Sequence, residues 1–193
     1  MWTMTDNKQR SLRVGLLYLV GTAVAYALCI LILAAGGDRP GDLTPWLRIS
    51  SDTYFWWEAA FIAPVIVGSG LLAAACMYLF ARAARGSGSF DDTLALLGPA
   101  VAVCTAVTLV PDLIIGALLN TGVIAPDAWM RDITRPSVTL ALVWTYLLAY
   151  IVAFLVAFPR VARATHRLPW RSAVPVGWAT FAIYQGVLLV FVR

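Results

Sequence analysis

The stretch TLVPDLIIG, Thr108–Gly116, sets Pro111 and Asp112 side by side inside an apolar run that extends from Thr93 to about Leu119. At ~1.5 Å per residue a run of this length crosses a ~30 Å hydrocarbon core. The stretch therefore reads as the interior of a membrane span, and its carboxylate as a group that needs partners inside a helical bundle.

Composition supports that reading before any motif is used. Hydrophobic residues make up 61% of the 193 and charged residues 12%, with a mean hydropathy of +0.82. A soluble helix keeps a polar face, whereas here whole runs carry no charge on any face. Five such runs are expected to span the bilayer: 14–36, 55–81, 93–119, 136–158 and 173–192. The first follows Lys8, Arg10 and Arg13 but is longer than the apolar core of a cleavable signal, so it is read as a retained helix. Between the runs lie GGDRPGD, ARGSGSFDD, APDAWMRDITRP and FPRVARATHRLPWR, which read as punctuation. The fold class is thus all-α, a single polytopic helical bundle of five spans.

Orientation follows from the basic residues. Lys8, Arg10, Arg13, Arg82, Arg85, Arg160, Arg163, Arg167 and Arg171 fall on one side, and Arg39, Arg48, Arg131, Arg135 and Arg193 on the other. Positive charge stays in the cytoplasm, which implies a cytoplasmic N-terminus and an exoplasmic C-terminus. Trp46, Tyr54, Phe55, Trp56 and Trp57 then belong to the outer interface.

Few residues carry chemistry. Cys29, Cys76 and Cys104 lie within spans without a C-x-x-C pair and read as packing thiols. The single histidine, His166, falls in the basic fourth loop, and no metal site or catalytic triad assembles around it. Gly86–Gly88 lacks the Lys-Ser/Thr ending of a P-loop and reads as a flexible turn, followed by Asp91, Asp92 and Thr93, where an oxygen side chain caps the next helix. With no paired acid, nucleophile and base at one depth, neither enzyme activity nor a cofactor or metal is expected. The charge of +4 sits in topology-setting loops, so no nucleic-acid partner is expected.

The segments YFWWEAAFIAPVIVGSG, ARAARGSGSFDDTLALLGPAVAV and LVPDLI together resemble the bacterial branch of the YIP family, polytopic proteins named in eukaryotes as interactors of Ypt/Rab GTPases. The resemblance is best over about Tyr54–Leu113 and implies five spans, a cytosolic N-terminus and a bacterial inner-membrane location. Arg85 departs from it, standing where relatives tend to have the first glycine of a G-G-x-G-S-F turn. GTPase binding does not transfer, because only residues 1–13 precede the first span.

Two groups of residues are candidate sites. The first is an intramembrane polar site of Asp112, Thr108, Gln185 and Glu58, with Tyr184 nearby. Asp112 lies about 27 Å into its span from the cytoplasmic side. Pro111 removes a hydrogen-bond donor from the helix, so a kink or break is expected there. A charge in hydrocarbon costs ~2.5 to 3.5 kcal/mol, so Asp112 should face the bundle. Its role is then either a structural acceptor at the kink, or a partner of Arg131 or Arg135, or a proton- or cation-binding group. Glu58, beside Trp56 and Trp57, is placed at the interface within reach of water. The second group is Arg160, Arg163, Arg167 and Arg171, with Trp170, which either fix topology or form a short interfacial helix that holds anionic lipid. For packing, the pairs Gly21/Ala25, Gly70/Ala74 and Gly98/Ala102 are expected to bring the first three spans together, with the last two closing around Asp112. The functional expectation is a non-enzymatic interaction or membrane-organising protein that contacts lipids, other membrane proteins or itself. The runner-up is a small proton- or cation-linked transporter or channel subunit using Asp112.

Overall fold

The computed structural model describes residues 4–39 and 49–191, with residues 4–11 and 51 described by backbone alone. Six helices follow in order: α1 (Met4–Ala35), α2 (Ser51–Ala83), α3 (Phe90–Asn120), α4 (Pro126–Thr134), α5 (Val138–His166) and α6 (Trp170–Phe191). All except α4 are long and apolar enough to cross a membrane, and among the described residues there is no strand. The chain is an all-helical, multi-pass membrane protein. The side chains of Lys8 and Arg10, together with Trp46, Arg48 and Arg193, lie outside the described residues.

Around the bundle the spans follow the order α1, α3, α5, α6, α2, and α2 also meets α3 directly. Close backbone approach makes the tightest joint. A Cβ on Gly98 would stand 2.4 Å from the carbonyl oxygen of Gly15, and one on Gly15 would stand 2.4 Å from that of Leu94. In lipid, where the hydrophobic effect no longer draws helices together, such contact supplies the packing energy. The small residue that α1 brings to α3 is therefore Gly15 and not Gly21, which has nothing within 4 Å of its would-be Cβ. Gly70 of α2 does serve as expected, seating Leu19 of α1. At the other side of the bundle Gly177 of α6 lies against Pro159 of α5, with its would-be Cβ 2.3 Å from the proline nitrogen.

Three boundaries differ from the sequence reading. α5 does not stop at Phe158; it runs through Pro159 to His166. Proline is tolerated inside a membrane helix where a neighbour packs over it, and Gly177 does so here. Arg160 and Arg163 consequently ride on the last turns of α5 rather than on a loop or a separate interfacial helix. α3 likewise continues unbroken through Pro99 and Pro111. The segment read as a plain connection before α5 holds α4, opened by Pro126 at its first turn and turning Trp129 inward.

The turn between α2 and α3 is built by hydrogen bonds that the sequence only outlined. Gly86 N–H donates to Ala81 O at 2.7 Å and Arg85 N–H to Arg82 O at 3.0 Å, the paired pattern of a Schellman cap. Arg85 occupies its left-handed position with φ 64°, a conformation that glycine takes without strain. The residue that departs from the YIP-like turn is thus the one in glycine's conformation. Ser89 then caps α3: its Oγ accepts from Asp92 N–H at 3.1 Å and donates to the Asp92 carboxylate at 2.6 Å. The cap is Ser89, and the Asp92 carboxylate holds its hydroxyl in place. Cys29 and Cys104 are buried free thiols and Cys76 is half-buried.

α1 starts at the end of the bundle that holds the Gly86 turn. α6 finishes at the end that holds α4, where the Tyr54 hydroxyl donates to Phe191 O at 2.6 Å.

Candidate functional site

Near the α4 end, polar side chains from all five spans converge. The Tyr146 hydroxyl of α5 donates to the Asp112 carboxylate of α3 at 3.1 Å. One turn further along α5, the Tyr150 hydroxyl donates to Gln185 Oε1 of α6 at 3.2 Å. Tyr184 of α6, 1% exposed, interacts by a side-chain hydrogen bond with Thr105 of α3. Tyr26 of α1 lies within electrostatic reach of Glu58, Asp112 and Tyr150. Two tyrosines four residues apart share one face of α5, and that face is what joins α3 to α6.

The predicted residues are gathered only in part. Asp112 is turned into the bundle, but its partner is Tyr146. Thr108 donates instead to Thr105 O on its own helix at 3.1 Å, the carbonyl that a helical threonine reaches most readily. Gln185 is engaged by Tyr150. Neither Arg131 nor Arg135 pairs with Asp112; among the described residues the ion pair is Arg39–Asp52 at 3.4 Å, on the surface. Glu58 does not reach water as expected: it is 1% exposed and faces the bundle, while Trp56 and Trp57 are 54% and 60% exposed on the other side of α2.

The sequence reading missed Tyr146, Tyr150 and a second acid. Asp38, in the segment after α1, accepts from the Trp129 indole of α4 at 2.9 Å and from the Arg39 backbone N–H at 2.9 Å. Burial pushes the Asp38 carboxyl up to about 6, against the lowering effect of those two donors. It lies within electrostatic reach of Asp112. α4 therefore works as a clasp: its one buried residue, Trp129, holds Asp38 of the turn that follows α1. The signal for Tyr146 and Tyr150 was their four-residue spacing in WTYLLAYI; nothing in GGDRPGD distinguished Asp38 from a solvated loop acid.

At the opposite end the four arginines separate. Arg160 lines a groove between α3 and α5. Arg163 lies over the Trp170 ring at 4.6 Å, a cation–π contact. Arg167 takes the left-handed position that closes α5, with φ 56°, and Arg171 is exposed at the start of α6. Beneath them His166 is buried at 1% exposure rather than lying in a loop. Its Nε2 is 2.9 Å from Thr93 Oγ1, whose own hydrogen goes to Ser89 O at 2.7 Å. Nε2 must therefore be the donor. A Cβ on Gly88 would meet Thr165 O at 2.3 Å, so the turn after α2 packs directly on the end of α5.

Fold and site together define a multi-pass helical membrane protein with a half-buried polar tether near one end and a basic surface at the other. Comparison with protein-family models, with characterised proteins and with solved structures finds no match. Among the described residues no group of three or more His, Cys, Asp or Glu is arranged to hold a metal ion.

Proposed function

We propose that this chain is a non-enzymatic, YIP-like membrane-organising protein of the bacterial inner membrane, whose partners are lipids and other membrane proteins. The Gly86 end faces the cytoplasm and the C-terminus is exoplasmic. Support for the orientation comes from Arg82, Arg85, Arg160, Arg163, Arg167 and Arg171, which gather at that end. The observation that carries the functional reading is the Tyr146–Asp112 hydrogen bond. It commits the intramembrane carboxylate to joining α3 and α5, and α5 is the least buried of the five spans. A structural tether accounts for the acid without a substrate.

One observation favours a second reading, a small proton- or cation-linked transporter: Asp38 and Glu58 lie at the same end as Asp112. Flux separates the two. The protein is reconstituted in liposomes, a proton or cation gradient is imposed, and wild type is compared with Asp112→Asn. No flux from either protein, both folded, is the expected result. Gradient-driven flux lost in the variant overturns the membrane-organising reading in favour of transport.

A further inference from the structure

α3 and α5 are joined by the Asp112–Tyr146 bond near one end and the His166–Thr93 bond at the other, and they leave a groove between these two points. Ala100, Val103 and Cys104 form one wall, and Val152, Ala153, Val156 and Ala157 the other. The groove has a volume of about 490 Å³, within the usual range for small-molecule seats. Val103 is 70% exposed and Val152 57% exposed, so the groove opens sideways to the bilayer. At its Gly86 end stands Arg160, six residues before α5 ends, or about 9 Å along the axis.

α5 has 29 residues, about 43 Å at ~1.5 Å per residue against a ~30 Å core, so the exposed Arg160 falls near headgroup depth, where a guanidinium meets lipid phosphate. Among the described residues no carboxylate pairs with Arg160. Its neighbour one turn on, Arg163, is already occupied by Trp170. An apolar channel lying along the membrane normal and ending at a free planar cation matches one molecule of the bilayer: a phospholipid, with an acyl chain along the Ala and Val walls and its phosphate held by the guanidinium fork. We infer that the α3–α5 groove is a seat for a single anionic phospholipid, with Arg160 as its headgroup anchor. This rests on the membrane-organising reading and names the lipid for it.

A second copy of the chain fits less well. Within a membrane, a two-fold contact through this groove sets identical surfaces together. It would bring Arg160 toward Arg160, whereas a lipid phosphate brings the opposite charge.

Retention of phosphatidylglycerol, against phosphatidylcholine, is measured by native mass spectrometry of the full chain in mixed micelles. Arg160→Gln removes the anchor and leaves the groove. Ala153→Phe fills the groove and leaves the anchor, with Val156→Phe as a replacement where the first variant does not fold. Arg171→Gln removes an exposed arginine outside the groove. Wild type is expected to hold one phosphatidylglycerol in preference to phosphatidylcholine. Arg160→Gln should weaken retention about fivefold, the effect of one basic residue at an anionic surface. The filled groove should abolish retention, and Arg171→Gln should leave it unchanged. Retention that survives the filled groove, equal loss from Arg160→Gln and Arg171→Gln, or a dimer that the filling residue dissociates without loss of bound lipid would each overturn the seat. No gradient enters this measurement, so its failure is distinct from a failure in the flux assay.

Discussion

Replacing Tyr146 by Phe deletes one hydroxyl and nothing else, and it tests whether Asp112 is a tether. The bond it breaks is 3.1 Å long, just beyond the usual O–H···O range, so its strength belongs no higher than the middle of the range for side-chain bonds between membrane helices. Measured couplings of that kind average ~0.6 kcal/mol and reach ~1.7. We expect a coupling of ~0.6 to 1 kcal/mol in a double-mutant cycle of Tyr146→Phe with Asp112→Leu. Asp112→Leu alone should cost more, ~1 to 3 kcal/mol, because it leaves the hydroxyl of the half-buried Tyr146 without its acceptor. Asp112→Asn keeps an acceptor oxygen toward Tyr146 and should cost least of the three. All variants are compared by denaturant and thermal unfolding in one detergent, with helicity as the signal. At ~2 to 4 °C per kcal/mol for a chain of this size, the coupling appears as a shift of ~1 to 4 °C. Strict additivity of Tyr146→Phe and Asp112→Leu would refute the tether. Asn as damaging as Leu would make the charge, not the hydrogen bond, the quantity that matters.

Arg85→Gly should stabilise the fold: glycine keeps the left-handed conformation at φ 64° without the Cβ strain of ~1 to 2 kcal/mol, and its added chain entropy takes back ~0.4 to 1. Arg85→Ala, which loses the charge but keeps the strain, should give no gain in the same thermal assay; an equal gain from Ala would assign the effect to charge. Asp38 gives a pH dependence of stability. Its folded pKa is raised to about 6, so the stability it contributes is full below its unfolded value near 3.9 and is lost as pH rises through about 6. Melting temperature should fall between pH 5 and pH 7 in wild type and fall less in Asp38→Asn; parallel curves would mean that Asp38 is exposed to water. Reporters fused after Arg193 and inserted at Gly86 should be exoplasmic and cytoplasmic, respectively, and both reporters on one side would remove the five-span topology.

The spans were legible in the sequence because their signal is local. An uncharged run must be helical in hydrocarbon, where each backbone N–H and C=O has to be satisfied within its own segment. The errors fell where tertiary contact decides. Phe158 looked like the end of a span since Pro159 and Arg160 follow it, yet Gly177 of another helix lets α5 continue. Gly21 and Gly15 are equivalent on paper, and only the register of α1 against Gly98 selects Gly15. The importance of Asp112 was readable from its cost in a membrane, but its partner was not, because Tyr146 lies 34 residues away on a helix whose rotation no local pattern fixes. Glu58 was misplaced for a related reason: Trp56 and Trp57 do face outward, but the next residue of a helix points about 100° away from its neighbour, which turns Glu58 inward.

The fastening of α5 explains why an acid is tolerated at Asp112 and why a groove lies beyond it. α5 is held to α6 by aromatic contact, with Phe154 stacked on Tyr184 at 5.4 Å and on Phe181 at 5.8 Å, and by the approach of Pro159 to Gly177. Toward α3 it has a polar hold at each end, the Tyr146–Asp112 bond near the α4 end and the His166–Thr93 bond at the Gly86 end. Between those two ties the helices part, with Val103 and Cys104 on one side and Val152 and Val156 on the other. Arg160 lines that space toward the Gly86 end. An apolar pair in place of Tyr146 and Asp112 would pack no better against lipid-like neighbours, since Leu gains nothing in hydrocarbon over a lipid chain. A directional bond fixes the rotation of α5 in a way that apolar contact does not, and that rotation is what keeps Val152, Val156 and Arg160 on the open side.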